Sequence, residues 1–325
     1  MARIPHSSHT SQTRAYVAWL AVCLIWGTTY LAIRIALETV PVALLAGIRW
    51  LVAGALMVIV LKLLGHQLPS ARTWPTIAVN AFLLSVVGNG MVVWAEQYVA
   101  SGLAAVVVAT VPFWSVFIET MRGRAGRLTA LMIAGLLLGF LGIVVLVWPD
   151  LTFEGGARGF LGGILALQLA CAGWALGSSY AKHHNVDAHP LAVSALQMLF
   201  GGIILIAIAT PTGEWARLAF TPRTLGAMVY LTLVGSMVGY SSYIYALSHL
   251  PISTVSLYAY VNPIIAVVLG AVLLAEPFNI RIAFASALVL AGIALVSRKN
   301  HCRAIFRLSA RLRPGTRAGS AGRRR

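Results

Sequence analysis

The sequence has little charge, and acidic residues are the scarcest of all. Charged residues make up 10% of the 325 residues and only 8 residues are Asp or Glu, whereas 59% are hydrophobic. A soluble domain carries about 25% charged residues. The chain therefore has too few polar side chains to cover a water-exposed surface, and its composition excludes an ordinary cytosolic protein.

Cysteine and catalytic motifs are also nearly missing. The three cysteines, Cys23, Cys171 and Cys302, are too far apart for a disulfide framework or a zinc site. The histidine-rich stretch 183–189 is better explained as a solvated loop than as a metal site. No G-x-S-x-G, H-E-x-x-H or Walker motif occurs. We expect no enzyme, no cofactor and no metal.

Hydrophobic blocks, each long enough to cross a bilayer, fill most of the chain. A membrane helix needs about 20 apolar residues, and the breaks between blocks predict ten spans. Their expected limits are 16–36, 42–63, 74–95, 102–121, 128–148, 160–181, 189–209, 224–247, 252–274 and 280–298. The sequence thus predicts an all-α integral membrane protein with ten transmembrane helices.

The distribution of positive charge predicts the orientation. Ten of the 24 Lys and Arg residues lie in 298–325, without any acid. With the N-terminus inside, 18 of the 24 fall in inner regions, so both termini are expected in the cytoplasm. A basic flank of this kind is attracted to anionic membrane lipid. We expect lipid and no nucleic acid as its partner.

An internal repeat divides the chain into two halves. Residues 94–112 align without a gap on residues 245–263, which pairs Pro112 with Pro263. Trp26-Gly27-Thr28-Thr29-Tyr30 is echoed by Gly177-Ser178-Ser179-Tyr180 at a similar offset. A repeat of five helices has to enter the membrane from the opposite side in its second copy. Inverted repeats of this kind are typical of transporters, with the substrate near the midplane.

The same residues resemble a known family. The runs IWGTTYLAIRIALETVP, NGMVVWAEQYVASGLAAVVVATVPFW and YAYVNPIIAVVLGAVLLAEP are similar to the EamA-type branch of the drug/metabolite transporter superfamily, above all to bacterial YedA-like inner-membrane permeases. One departure is that Glu276-Pro277 ends the fourth helix of the second half, whereas Arg124-Ala125-Gly126-Arg127 stands there in the first half. The first half therefore has no Glu at this place that could share a gating role with Glu276.

The resemblance and the repeat together give a domain plan. We expect a cytoplasmic segment over 1–15, five-helix repeats over 16–148 and 160–298 joined by a loop at 149–159, and an Arg-rich cytoplasmic tail over 299–325. The expected function is secondary export of small amphipathic metabolites, such as amino acids or drug-like compounds, across the bacterial inner membrane. A passive facilitator, an importer and a scaffold or receptor without transport remain alternatives, and the sequence does not indicate the oligomeric state.

Polar residues inside the spans are candidates for the substrate pathway, because each is costly in lipid without a partner or a role. Arg49 is the strongest candidate for holding an anionic group, with an ion pair to Glu96 or Glu38 as the alternative. Helix–helix hydrogen bonding is the alternative for the polar group on the ninth span. The predicted pathway residues are Trp26, Tyr30, Arg49, Asn89, Tyr245, Tyr258 and Asn262.

Glu96 is a candidate for carrying a coupling proton. It lies seven residues after Asn89 and therefore on the same helix face. The alternative is an exposed carboxylate, because Glu96 falls at the outer end of its span, where charge is tolerated.

Overall fold

The computed structural model describes residues 9–123, 129–147, 157–184, 186–250, 252–255, 257–276 and 278–311. Every regular element within these residues is helical. We number the ten long helical segments α1 to α10. They are His9–Ala36, Val42–Leu63, Ala71–Ala95, Ser101–Met121, Ala130–Val147, Ala157–His183, Pro190–Ala209, Pro222–His249, Tyr258–Leu274 and Ile280–Arg311.

Hydropathy explains where most of these helices lie. Seven of them are long and apolar enough to cross a membrane, and shorter apolar helices cover Ala130–Val145, Val261–Leu274 and Ile280–Leu295. These ten positions match the ten predicted spans. Three limits differ by more than one turn: α1 begins at His9, α9 begins at Tyr258 after a short separate helix, Ile252–Val255, and α10 continues to Arg311. The departure motif at residues 124–127 lies outside the described residues.

The helices pack as two halves with matching neighbours. In the first half α1 contacts α8 and α9, and in the second half its counterpart α6 contacts α3 and α4. The counterparts α2 and α7 pack on each other, as do α5 and α10. A Cβ at Gly54 of α2 would press on the backbone of Leu199, and one at Gly202 of α7 would press on Leu51. The contact is therefore reciprocal, as a two-fold relation requires.

Contacts at the helix ends show that counterparts run antiparallel. His66, just after α2, stacks on His189, just before α7, with ring centroids 4.4 Å apart. At the other end, Glu214 after α7 accepts a hydrogen bond from the backbone N–H of Leu44 at the start of α2. We call the end where α1 begins the proximal end, and the end where α1 finishes the distal end.

Both α3 and α8 contain a π-helical segment at the equivalent place. These segments, Phe82–Gly90 and Leu231–Val238, lie close to 150 residues apart. Asn89 Nδ2 donates to the carbonyl of Leu84, and Ser236 Oγ donates to that of Leu231, both at 3.0 Å. π-Helical segments inside an α-helix are frequent at functional sites, so these two direct attention to the middle of the bundle.

Candidate functional site

A cavity of about 610 Å³ lies between the two halves. Its walls come from α1–α6 and α8–α10. At the proximal end they include Glu119 of α4 and Lys182 of α6. None of residues 37–41 or 96–100 at the distal end belongs to the wall, although the structure describes them all. The cavity therefore extends from the middle of the bundle toward the proximal end.

Most of the predicted pathway residues lie on this cavity, and one does not. The wall includes six of the seven: Trp26, Tyr30, Arg49, Asn89, Tyr258 and Asn262. Tyr245 packs instead on His249, with ring centroids 4.3 Å apart, beside the buried Ala246. On α8 the cavity is lined by Tyr240 and Tyr243, and Tyr245 lies about 200° further round the helix than Tyr243.

The central aromatic cluster consists of Trp26, Tyr240, Tyr243 and Tyr258. The ring centroids of Trp26 and Tyr258 are 5.1 Å apart with planes at 84°, and those of Tyr243 and Tyr258 are 5.9 Å apart at 89°. These are edge-to-face contacts, which aromatic rings prefer over face-to-face stacking. Tyr240 and Tyr243 were not among the predicted pathway residues, although their i, i+3 spacing places them on one helix face.

Arg49 is buried beside this cluster. Its side chain is 5% exposed, its Nε donates to Ser236 Oγ at 2.9 Å, and its guanidinium lies 4.7 Å above the Trp50 ring. Among the described residues no carboxylate oxygen lies within 4.0 Å of its nitrogens. Glu38, one of the two partners considered for Arg49, pairs with Arg223 at 3.1 Å. The guanidinium thus lines the cavity without an ion pair in the part of the chain that the structure describes.

Trp50 was also missed by the sequence analysis. It lines the cavity next to Arg49, is 4% exposed, and its indole N–H has no acceptor among the described residues. A buried donor without an acceptor costs about 1–3 kcal/mol. Such a donor beside a cavity has hydrogen-bonding capacity left for a ligand.

The polar residues of α1 and α9 hold the cavity wall together. The indole N–H of Trp26 donates to the carbonyl of Gly235 at 3.3 Å. With its amide nitrogen turned toward them, Asn262 donates to the carbonyls of Cys23 and Tyr258 at 3.0 Å each. Asn262 therefore bridges α1 and α9, which is the helix–helix bonding that the sequence left open.

Glu96 is fully buried, contrary to the alternative of an exposed carboxylate at the end of its span. Its relative exposure is 0%, and neither carboxylate oxygen has a hydrogen-bond partner among the described residues. Arg34 donates to the backbone carbonyl of Glu96, and the carboxyl group interacts electrostatically with Arg34, Arg49 and Glu276. It lies between the cavity and the distal end, where α1, α3 and α9 finish.

At the distal end, two carboxylates of the second half accept hydrogen bonds from helix N-termini of the first half. Glu214 accepts hydrogen bonds from backbone N–H groups at the start of α2, including Leu44 at 2.9 Å. Glu276 accepts from the N–H and the hydroxyl of Ser101 at 2.8 and 3.0 Å, and from the N–H of Gly102 at 3.2 Å. Each occupies a helix N-terminus, where negative charge is favoured.

The proximal end holds a different set of polar groups. Ser179 of α6 donates to Glu119 at 2.6 Å and accepts from Arg122 at 3.1 Å. Within the described residues, no group of three or more His, Cys, Asp or Glu side chains is placed to hold a metal ion. His184 instead stacks on Tyr180, with ring centroids 4.0 Å apart.

Two halves around a shared central cavity agree with the family comparison. Residues 13–148 and 161–298 each match the model of the EamA-like transporter family. The chain belongs to that family. The resemblance seen in the sequence is thereby confirmed, as is the prediction of an all-α membrane protein built from two repeats.

Curated relatives and a solved structure agree with this membership. "Uncharacterized inner membrane transporter YedA" of Escherichia coli (strain K12) is 37% identical over 256 residues, which are 78% of this chain and 80% of the relative. "Uncharacterized transporter YvbV" of Bacillus subtilis (strain 168) is 27% identical over 290 residues, 89% of this chain and 93% of the relative. A crystal structure with 19% identity and a TM-score of 0.59 covers 93% of this chain and 99% of that one, and shows the fold alone. This EamA chain is thus a membrane transporter for small molecules.

Proposed function

We propose that this chain is a secondary transporter that exports small amphipathic metabolites, such as amino acids or drug-like compounds, by alternating access. The observation that carries the proposal is the cavity of about 610 Å³, whose walls come from both repeats and which extends toward one end of the bundle only. Pockets of 300–1,000 Å³ lined by aromatic residues and a few polar groups are typical of small-molecule sites.

The asymmetry between the two ends supports alternating access. At the distal end, Glu214 and Glu276 tie the second repeat to helix N-termini of the first. In inverted-repeat transporters the two repeats exchange conformations, so that the open end and the closed end change places. The structure then corresponds to one of the two states, the one accessible from the proximal end.

The direction of access follows from the proposed orientation. We place both termini in the cytoplasm and the chain in the bacterial inner membrane, because Lys and Arg are concentrated on that side. The proximal end, where α1 begins, then faces the cytoplasm. A cavity accessible from the cytoplasm is the state that loads a substrate for export.

We assign Arg49 to the anionic group of the substrate. Its guanidinium stays charged at any working pH and binds a carboxylate bidentately. It lines the cavity, and the side chains that it contacts there, Ser236 and Trp50, are neutral. Five other predicted residues complete the proposed pathway: Trp26, Tyr30, Asn89, Tyr258 and Asn262. Tyr240 and Tyr243 replace Tyr245 as the pathway residues of α8.

Glu96 is our candidate for proton coupling, because burial disfavours the charged form of a carboxyl group. Glu96 is fully buried, and its carboxyl oxygens have no hydrogen-bond partner among the described residues. Proteoliposomes that contain a pH-sensitive dye test this role. We expect substrate addition to change the internal pH with wild-type protein, but not with Glu96→Gln. Transport without any pH change would favour a passive facilitator.

The direct test of transport is a metabolite screen. Cells that overproduce the wild-type chain are compared with cells that produce Arg49→Gln, and with a control that carries Arg72→Gln at an exposed position in the first turn of α3. Export is supported if a metabolite moves from the intracellular to the extracellular pool with wild type and the control only. The reverse movement would indicate an importer, and unchanged pools would favour a scaffold or receptor.

A further inference from the structure

On the part of the wall that the structure describes, the inner cavity has the basic Arg49 and no acidic residue. Among the described wall residues Arg49 and Lys182 are basic, and Glu119 is the single acid. Glu119 belongs to the proximal end, where it already accepts a hydrogen bond from Ser179 at 2.6 Å. In the inner part of the cavity, a cationic ligand would meet a buried guanidinium and no carboxylate of the described wall, because Glu96 lies off that wall, toward the distal end. An anionic ligand would neutralise the guanidinium.

Two adjacent residues offer donors to the oxygens of such an anion. The Arg49 guanidinium donates through Nε to Ser236, and its terminal nitrogens donate to none of the described residues. The neighbouring Trp50 contributes a buried indole N–H without an acceptor among the described residues. A carboxylate has two oxygens with about four acceptor sites, so it satisfies both residues at once.

The group next to this anion site is aromatic. The indole N–H of Trp26 is bonded to Gly235, and Arg49 is bonded to Ser236, so the aromatic cluster and the guanidinium meet at consecutive residues of α8. Trp26, Tyr243 and Tyr258 all line the cavity. A flat ring that enters beside them gains edge-to-face or offset-stacked contacts beyond the hydrophobic gain.

An amino group on the ligand would find no carboxylate partner on the described wall of the inner cavity. Burial of an unpaired ammonium carries a desolvation cost that only a close counter-charge offsets. Aromatic rings offer a weaker cation–π attraction, but Arg49 repels the same ammonium.

We propose that the cavity is selective for planar aromatic monocarboxylates, with the carboxylate on Arg49 and Trp50 and the ring against Trp26, Tyr243 and Tyr258. The proposal names a substrate class for the transporter and rests on the proposed function. It ranks arenecarboxylates above aromatic amino acids, saturated ring carboxylates and aromatic amines.

Binding is measured first, by isothermal titration calorimetry on the full chain in detergent. The probes are 2-naphthoate, decahydronaphthalene-2-carboxylate, which keeps the charge without the π-system, and 2-naphthylmethylamine, which reverses the charge. We expect the saturated acid to bind about tenfold more weakly than 2-naphthoate, and the amine to show no saturable binding. Equal affinity of the acid and the amine would overturn the proposal.

Variants then test the assigned residues. Arg49→Gln should weaken 2-naphthoate binding at least about 30-fold, and Trp50→Phe, which keeps a ring but removes the N–H, about tenfold. Tyr245→Phe, in the same bundle but off the cavity, should bind like wild type. If Arg49→Gln does not fold, Trp50→Phe still tests whether the carboxylate binds at this site. Wild-type affinity in Trp50→Phe and in a folded Arg49→Gln would refute the assignment.

Transport in proteoliposomes separates this inference from the proposed function. If 2-naphthoate binds in the cavity but never crosses the membrane, transport is wrong for this ligand while the binding site stands. If the amine or a neutral compound is carried and 2-naphthoate is not, the chain is a transporter and the substrate class is wrong. Saturable 2-naphthoate flux that Arg49→Gln removes supports both.

Discussion

Trp26 and Arg49 are held at consecutive residues of α8. The indole N–H of Trp26 donates to the carbonyl of Gly235 at 3.3 Å, and Arg49 Nε donates to Ser236 Oγ at 2.9 Å. Ser236 in turn donates to Leu231 at 3.0 Å, across the π-helical segment. The first repeat thus supplies the aromatic and the cationic side chain, and the second repeat sets their spacing.

Gly235 leaves the space between these two anchors open. A Cβ at this position would lie 3.1 Å from Thr29 Cγ2 and 3.6 Å from Arg49 Nη2. A leucine would therefore extend into the cavity beside the guanidinium. We expect Gly235→Leu to reduce the initial rate of substrate transport at least tenfold, measured in proteoliposomes with equal amounts of inserted protein.

Gly226 provides the matched control on the same helix. It is exposed, and a Cβ at this position would have nothing within 4 Å. Gly226→Leu should transport like wild type. If both variants lost transport equally, the leucine would act through the helix itself, and the explanation by a filled cavity would be wrong.

The geometry of Arg49 predicts that lysine is a poor replacement. Lysine keeps the positive charge but loses the planar fork and the Nε–H that binds Ser236. A hydrogen bond to a charged group contributes about 1.5–3 kcal/mol, so Arg49→Lys should raise the substrate dissociation constant about tenfold or more. The measurement is a binding titration on protein that reaches the membrane.

Two outcomes would contradict this role for Arg49. Wild-type transport by both Arg49→Lys and Arg49→Ala would show that the guanidinium does not hold the substrate. Failure of both variants to insert would show that Arg49 is needed for the packed structure first of all.

Two of the predicted pathway residues that line the cavity lie in regular α-helix, whereas Asn89 lines it from the π-helical segment of α3. Trp26 and Tyr30 are four residues apart on α1, so the period of 3.6 residues places them on one face, and both line the cavity. Tyr245 follows the π-helical segment Leu231–Val238, which changes the number of residues per turn and therefore the face on which later residues lie. Hydropathy carries no signal for such a segment.

The burial of Glu96 also had no local signal. Its position at the end of a span predicted exposure, but the surrounding charged groups come from other helices, among them Arg34 of α1, Arg49 of α2 and Glu276 after α9. Long-range neighbours of this kind are set by the packing of the two repeats. The span limits themselves needed only composition, because the bilayer thickness fixes the length of an apolar helix.

The orientation makes a prediction of its own. Ten Lys and Arg residues follow α10's apolar part, and this excess is expected to stay in the cytoplasm. Reporter fusions should therefore place residue 300 inside and residue 155 outside. Alkaline phosphatase activity at residue 300 and none at residue 155 would contradict the proposed topology and reverse the direction of access to the cavity.

The contact of Glu276 with α4 predicts a change at the distal end. Its carboxylate accepts two backbone N–H groups and the hydroxyl of Ser101 at the start of that helix, so Glu276→Ala leaves these donors without their partner. Loss of a helix N-terminal cap costs about 0.5–2 kcal/mol, which corresponds to a roughly tenfold larger population of distal-open protein.

Access is measured with a cysteine at Ala105, on the cavity wall, in a chain whose native cysteines are replaced. An impermeant maleimide applied to whole cells should label this cysteine about tenfold faster in Glu276→Ala. Glu38→Ala is the control, because its pair with Arg223 at the same end is exposed and exposed pairs contribute little. If labelling in Glu276→Ala stayed at the rate of this control, the carboxylate would not hold the distal end closed.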